Sequence, residues 1–231
     1  MLERSDKMKK IVIIGAGGFG REVLDLINFC NISENKYDPL GFIVDSEYGQ
    51  IGTIINEKPI LGNLEWLEKH SSEIYVVVAI GQPHQRLRVL DRISKYNCKF
   101  INLIHPWSKE HLNKWVSLGE GVILAGCLTS SQIKIGNHVV INAFSVIGHD
   151  SVISDYVTIA PGVYIDGYVT LGTGCFIGTG SNILPNVTVN EWSIIGAGST
   201  ISKDIPANSV AMNLPPRIIN QRDPGWHLSE D

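Results

Sequence analysis

Residues Ile123 to Thr200 read ILAGCL, TSSQIK, IGNHVV, INAFSV, IGHDSV, ISDYVT, IAPGVY, IDGYVT, LGTGCF, IGTGSN, ILPNVT, VNEWSI and IGAGST, thirteen consecutive six-residue units. An aliphatic residue opens every unit except the one at Thr129, and the fifth place holds only Val, Ser, Cys or Ile. This periodicity predicts a parallel β-helix in which each unit is one short flat strand and three units close a triangular coil. The opening aliphatic residue fills the interior, and the small or β-branched fifth residue packs beside it. At roughly 4.8 Å per layer, a little over four coils form a prism about 20 Å tall. Corners are expected at Gly, Asn and Asp, which tolerate the backbone of tight turns. One repeat cannot bury its own apolar side, so the array needs stacked neighbours and capped ends. An antiparallel sandwich of short strands would instead alternate with period two and space its turns irregularly.

The chain before the repeats is patterned differently. Ile11 to Ile14 reads as a short buried strand, Gly15-Ala16-Gly17-Gly18-Phe19-Gly20 as a tight glycine-rich turn, and Arg21 to Cys30 as an amphipathic helix. Further strands are expected at Leu40 to Val44 and Ile74 to Ile80, and a helix at Arg86 to Lys95 with Leu87, Leu90 and Ile93 on one side. Strand and helix in alternation point to a small parallel sheet of the dinucleotide-binding kind. A glycine-rich turn between strand and helix lets backbone amides approach a phosphate and aims the helix N-terminus at it. Close packing of helix on strand also asks for glycine, so the turn alone decides little. Asp45, about 25 residues after Gly20, stands where an acidic group takes a ribose hydroxyl. About 100 residues cannot complete the doubled fold of a redox dinucleotide site, so a nucleotide attached to another group fits better.

Composition limits the remaining classes. With 231 residues and 44% hydrophobic content the chain suits one large or two modest domains. A net charge of −4 gives no basic footprint for nucleic acid. No apolar run reaches the roughly 20 residues of a membrane span, and the start carries no apolar signal region. Cys127 and Cys175 fall on fifth places and read as buried small hydrophobes, while Cys30 and Cys98 are unpaired in sequence. This is the cysteine usage of a reduced, cytoplasmic protein without a metal site. The polar residues before Met8 read as a lead segment, or Met8 as the start.

Within INAFSVIGHD (Ile141 to Asp150), His149 is the third residue of its unit, at or near a prism corner where it can face outward. Asp150 follows it. A carboxylate bonded to an imidazole fixes its tautomer and raises its basicity, leaving the other ring nitrogen to accept a proton. A histidine on a surface turn is the plain alternative. Asn142 either touches a substrate amine or ladders with amides of the next coil, the second being the simpler reading.

These stretches also carry a resemblance. IVIIGAGGFGREV from Ile11, GFIVD at Gly41 to Asp45, VVVAIG ending at Gly81 with Arg86 beyond it, NLIHP at Asn102 to Pro106, and INAFSVIGHD stand in order. Over nearly its whole length the chain resembles the bacterial nucleotide-amino-sugar N-acetyltransferases and the related sialic acid O-acetyltransferases. The resemblance implies an α/β N-terminal domain, a small Rossmann-like sheet over residues 1–105 that holds a nucleotide sugar. It implies a left-handed parallel β-helix with a C-terminal cap over residues 106–231. Acetyl-CoA would bind between subunits of a homotrimer, with no metal. The catalytic pair falls on His149 and Asp150, and nucleotide-sugar contacts fall on Gly18, Phe19, Gly20, Asp45, Ser46 and Gly81, with Arg86 and Asn142 as further candidates. Coenzyme contacts fall on Thr158, Gly167, Thr179 and Ala197. Two departures stand out: Thr158 replaces a histidine of some members, and Asn213-Leu214-Pro215-Pro216 replaces the usual terminal Gly-x-Pro-Ala.

The reaction implied is acetyl transfer from acetyl-CoA to the amine of a nucleotide-linked 4-amino-4,6-dideoxy sugar, a precursor of surface glycan or glycoprotein. His149 would act as general base. O-acetylation of a sialic acid and a noncatalytic nucleotide-sugar sensor are the alternatives.

Overall fold

A computed structural model describes residues 8–212 and 217–226. The segment before Met8, Asn213-Leu214-Pro215-Pro216 and residues 227–231 lie outside the described residues, and with them the expectations placed there. The chain divides into two compact units. One runs up to Ile80 and resumes from Val89 to Leu103; the other takes Gly81–Arg88 and everything from Ile104 on.

In the N-terminal unit, β1 (Lys9–Ile14) is central because its IVII run has apolar neighbours on all sides: Ile11, Val12 and Ile13 have no exposure. Helix α1 spans Gly18–Glu34, longer at both ends than its apolar face suggested. It buries Val23, Leu24, Leu26, Ile27 and Cys30 at helical spacing. It stops at Asn35, whose left-handed backbone (φ 41°) lets its N–H reach the Asn31 carbonyl. Strands β2 (Tyr37–Ile43), β3 (Ile54–Ile55), β4 (Lys58–Gly62), β5 (Tyr75–Val78) and β6 (Lys99–Phe100) complete a sheet of order β3-β4-β2-β1-β5-β6. Only the β3–β4 hairpin is antiparallel. That hairpin escaped the sequence reading because its turn, Asn56-Glu57 with φ 44° and 68°, places a glutamate where glycine is the usual signal.

The C-terminal unit is the expected parallel β-helix. Val140–Ile141 pairs with Thr158–Ile159, which pairs with Phe176–Ile177, so each strand meets the one three units on. Three such sheets make the three walls. From Val140–Ile141 to Thr200–Ile201 each strand is only the sixth residue of one unit and the first of the next. First-place residues from Ile135 to Ile201 and fifth-place residues from Cys127 to Ser199 are all buried, and Thr129, the non-aliphatic opener, is half-buried. Serine serves at the fifth place because its hydroxyl is satisfied there: Ser145 donates to the Ala160 carbonyl at 2.9 Å and accepts from the Val163 amide at 3.2 Å. Ser209–Met212 extends one wall, and Arg217–Gln221 closes it as an antiparallel strand.

The corners differ from expectation. Every fourth place from Gly126 to Gly198 is left-handed, with φ between 52° and 98°. Gln132, His138, Phe144, Tyr156, Tyr168 and Trp192 sit there as well as the expected Gly, Asn and Asp. A left-handed backbone costs such residues about 1–2 kcal/mol. Hydrogen bonds between coils offset it: the Tyr156 amide reaches the Asn137 carbonyl and the Trp192 amide that of Thr173, at 2.9 and 2.8 Å. Stacking adds to this, since the His138 and Tyr156 rings lie 6.0 Å apart and nearly parallel, at 2°.

His138 is buried, and burial first and the Arg86 charge second push its imidazole down to about 4, against an opposing pull from Asp155. The unfolded chain takes up this proton near pH 6.5; the folded one resists it. Stability therefore falls as pH drops from about 6.5 to about 4 and levels off below. His138→Asn, compatible with φ 52°, flattens that slope. Urea midpoints across this range check it: parallel slopes in the two proteins would exclude His138 as the source.

Candidate active site

His149 is turned out of the prism, its side chain 55% exposed. The geometry follows from its place in the repeat: Ile147 points inward, Gly148 crosses to the corner, and Asp150 takes the left-handed turn at φ 58°. That turn swings the Asp150 carboxylate back, and its Oδ2 lies 2.9 Å from His149 Nδ1. With Nδ1–H donating to the carboxylate, Nε2 carries the lone pair and points away from it. Tyr168, one coil on, sets its ring edge-on to the imidazole with centroids 5.2 Å apart at 90°.

The expected coenzyme contacts separate by corner. Gly167 shares the His149 corner, exactly one coil on in the repeat. Thr179 and Ala197 are exposed and lie together on another corner, with Phe144, Gly162, Gly180 and Gly198. Thr158 does not present itself to a ligand: it is 2% exposed, donates its hydroxyl to the Gly81 carbonyl at 2.7 Å and accepts from Arg86 at 2.9 Å. Arg86, expected as a helper at the nucleotide sugar, is 1% exposed and donates to the carbonyls of Gly81, Tyr156 and Val157 at 3.3, 2.7 and 3.2 Å. Burial pushes its guanidinium down to about 9. The guanidinium thus ties the Gly81–Arg88 segment to the coil, which is why that segment groups with the repeats. Asn142 donates to the Ile159 carbonyl at 3.0 Å, the ladder geometry. Asn190 repeats it with Ile205 at 2.9 Å.

In the N-terminal unit the glycines of the turn split into two kinds. A Cβ on Gly20 would stand 2.1 Å from the Gly15 carbonyl oxygen, so that glycine is required by packing. Around Gly18 the space is open, with only the Arg21 guanidinium at 4.0 Å. Gly17 caps α1 without any side-chain hydrogen bond, and the Gly18, Phe19 and Gly20 amides open the helix. Gly18 is exposed, Phe19 half-buried and Gly20 buried. Asp45 caps the short turn Ser46–Tyr48 and is held by Arg92 in a two-point pair at 2.7 and 2.9 Å; Ser46 is exposed. Among the described residues no group of three His, Cys, Asp or Glu side chains could hold a metal ion. No described helix is long and apolar enough to cross a membrane.

Residues 10–93 match the family model of the PglD N-terminal domain, and residues 132–167 and 168–203 each match the six-repeat bacterial transferase hexapeptide model. The chain belongs to the left-handed β-helix, hexapeptide-repeat acyltransferases. Among solved structures this acyltransferase is similar to the acetyltransferase domain of PglB from Neisseria gonorrhoeae in complex with acetyl coenzyme A. The TM-score is 0.83 at 25% identity, over 92% of this chain and all of that one (100%). It is similar also to a mutant perosamine N-acetyltransferase from Caulobacter crescentus, in complex with CoA and GDP-perosamine. There the TM-score is 0.81 at 25% identity, over 92% of this chain and 97% of that one. A galactoside O-acetyltransferase of Lactococcus lactis is 27% identical over 168 residues, 68% of this chain and 81% of that protein.

Two features of the candidate site have no signal in the sequence. Tyr168 approaches His149 only because residues three units apart are stacked. The second is the packing of the imidazole on Gly167, taken up below.

Proposed function

We propose that this acyltransferase moves the acetyl group of acetyl-CoA to the amine of a nucleotide-linked 4-amino-4,6-dideoxy sugar, with His149 as general base. The observation that carries the reading is the outward imidazole, its side chain 55% exposed, with Nδ1 held 2.9 Å from the Asp150 carboxylate. The sugar amine attacks the thioester carbonyl, His149 Nε2 takes the amine proton, and the C–S bond breaks to release the coenzyme thiolate. Asp150 steadies the imidazolium that forms. Holding both substrates in one groove replaces a collision by a preset approach.

The open turn at Gly18, Phe19 and Gly20 suits the nucleotide phosphates, and Asp45, Ser46 and Gly81 are the further sugar-nucleotide contacts. Asp45 can take a ribose hydroxyl only by sharing its carboxylate with Arg92. Arg86, Thr158 and Asn142 keep structural roles in this reading because the Arg86 Nη1 and Nη2, the Thr158 hydroxyl and the Asn142 Nδ2 are hydrogen-bonded to backbone or side chains of their own unit. Gly167, Thr179 and Ala197 contact the coenzyme. Since Thr179 and Ala197 stand one corner away from His149, a homotrimer that sets this corner of one copy against the His149 corner of the next completes the groove. The four cysteines carry no disulfide, as suits the cytoplasm.

Acetyl-CoA offered with a panel of acceptors tests the reading. Thiol release is expected with a nucleotide-linked 4-amino sugar. Release with sialic acid alone would make the enzyme an O-acetyltransferase, and the absence of release with every acceptor would leave a sugar-binding protein without catalysis.

A further inference from the structure

His149 and Gly167 hold the third place of units one coil apart, and the imidazole of the first lies against the backbone of the second. A Cβ on Gly167 would stand 2.6 Å from Cε1, 2.7 Å from Nε2 and 3.1 Å from Nδ1 of that ring. Gly167 has no left-handed φ, so its conformation does not call for glycine. Nor does its place in the repeat: Asn137, Asp155, Pro161, Thr173, Pro185 and Glu191 fill the third place of other units. What excludes a side chain at residue 167 is the imidazole itself.

We propose that Gly167 is a positioning residue for the acyl transfer, its missing side chain forming the seat that holds the His149 ring with Nδ1 on Asp150. The inference rests on His149 being the base. The seat is fixed from below by the unit that carries the histidine. Ser151 Oγ donates to the Asp166 carbonyl at 3.1 Å and accepts from the Val169 amide at 3.3 Å, bracketing Gly167 and Tyr168. The Tyr168 amide donates to the His149 carbonyl at 2.9 Å, and the Tyr168 ring walls the imidazole edge-on. The ring is therefore confined by the Gly167 backbone, by Tyr168 and by the Asp150 carboxylate.

Gly167→Ala isolates the seat. The clash falls on the mobile end of a side chain rather than on backbone, so the coil accepts the methyl by swinging the imidazole, and the thermal melt stays at the wild-type midpoint. Turnover at saturating acetyl-CoA is expected to fall roughly 10- to 100-fold, the cost of a displaced reacting group, a loss that a coenzyme contact alone would not produce once the coenzyme saturates. The imidazole nitrogen resonances, assigned by their loss in His149→Ala, are expected to lose the signature of an Nδ1–H bonded to carboxylate. Ser151→Val, with the valine common at the fifth place, removes the hydroxyl that brackets Gly167 and Tyr168 and is expected to lower turnover in the same sense.

Unchanged turnover and unchanged resonances in Gly167→Ala would overturn the proposal. A raised KM with normal turnover would also overturn it, making Gly167 a coenzyme contact only. If His149→Ala kept its activity, the base assignment would fall, whereas the resonances of Gly167→Ala would still report on the seat.

Discussion

His149→Ala is expected to lower turnover roughly 100-fold or more, the usual contribution of a positioned base, and to leave the fold intact. The side chain is 55% exposed at a corner of the coil, so its removal opens no interior cavity. In the proposed function the loss arises because the attacking amine then has only solvent to take its proton as the C–N bond forms. Asp150→Asn keeps the left-handed corner at φ 58°, which Asn tolerates. It removes only the carboxylate, so a smaller fall of about tenfold is expected, the histidine remaining in place but less well held. Initial rates of thiol release at saturating acetyl-CoA measure both. A His149→Ala protein with near-wild-type turnover would remove the imidazole from the chemistry.

Gly20→Ala is expected to unfold the glycine turn, costing about 3 kcal/mol. The added Cβ would stand 2.1 Å from the Gly15 carbonyl oxygen and 2.8 Å from its carbon, both backbone atoms that end β1. Relief requires α1 to move off the sheet, which uncovers Val23, Leu24 and Ile27. Gly18→Ala, two residues away, meets only the Arg21 guanidinium at 4.0 Å and is expected to be neutral in stability. In the proposed function its methyl occupies the phosphate position and raises KM for the nucleotide sugar roughly tenfold. Urea midpoints and acceptor KM values for the pair separate packing from binding. Equal stability of the two variants would show that the clash at Gly20 is relieved at no cost.

The two domain types were legible in the sequence for different reasons. The coil repeats one local rule, an aliphatic first place and a small fifth place, so periodicity alone gives its architecture, and every residue from Ile135 to Ile201 at the first place is buried accordingly. The N-terminal sheet was legible in the apolar runs Ile11–Ile14 and Ile74–Ile80, within which lie the end of β1 and the whole of β5, and such continuous runs suit strands covered on both faces. The β3–β4 hairpin was missed because Glu57 takes a left-handed backbone without the glycine that signals it. The aromatic corners were missed because hydrogen bonds between coils, not local preference, set their backbone.

Of the candidate site, the sequence by itself determined that an imidazole and a carboxylate stand side by side at a corner of a triangular coil, because adjacency and the repeat are both local properties. Only the tertiary structure decided which groups those side chains meet. Stacking at the spacing of three units brings Gly167 and Tyr168 onto His149, and burial takes Arg86 and Thr158 away from solvent into a shared set of hydrogen bonds. Contacts of this kind join residues far apart in the chain, and their identity is fixed by the register of the coils rather than by any neighbour in sequence.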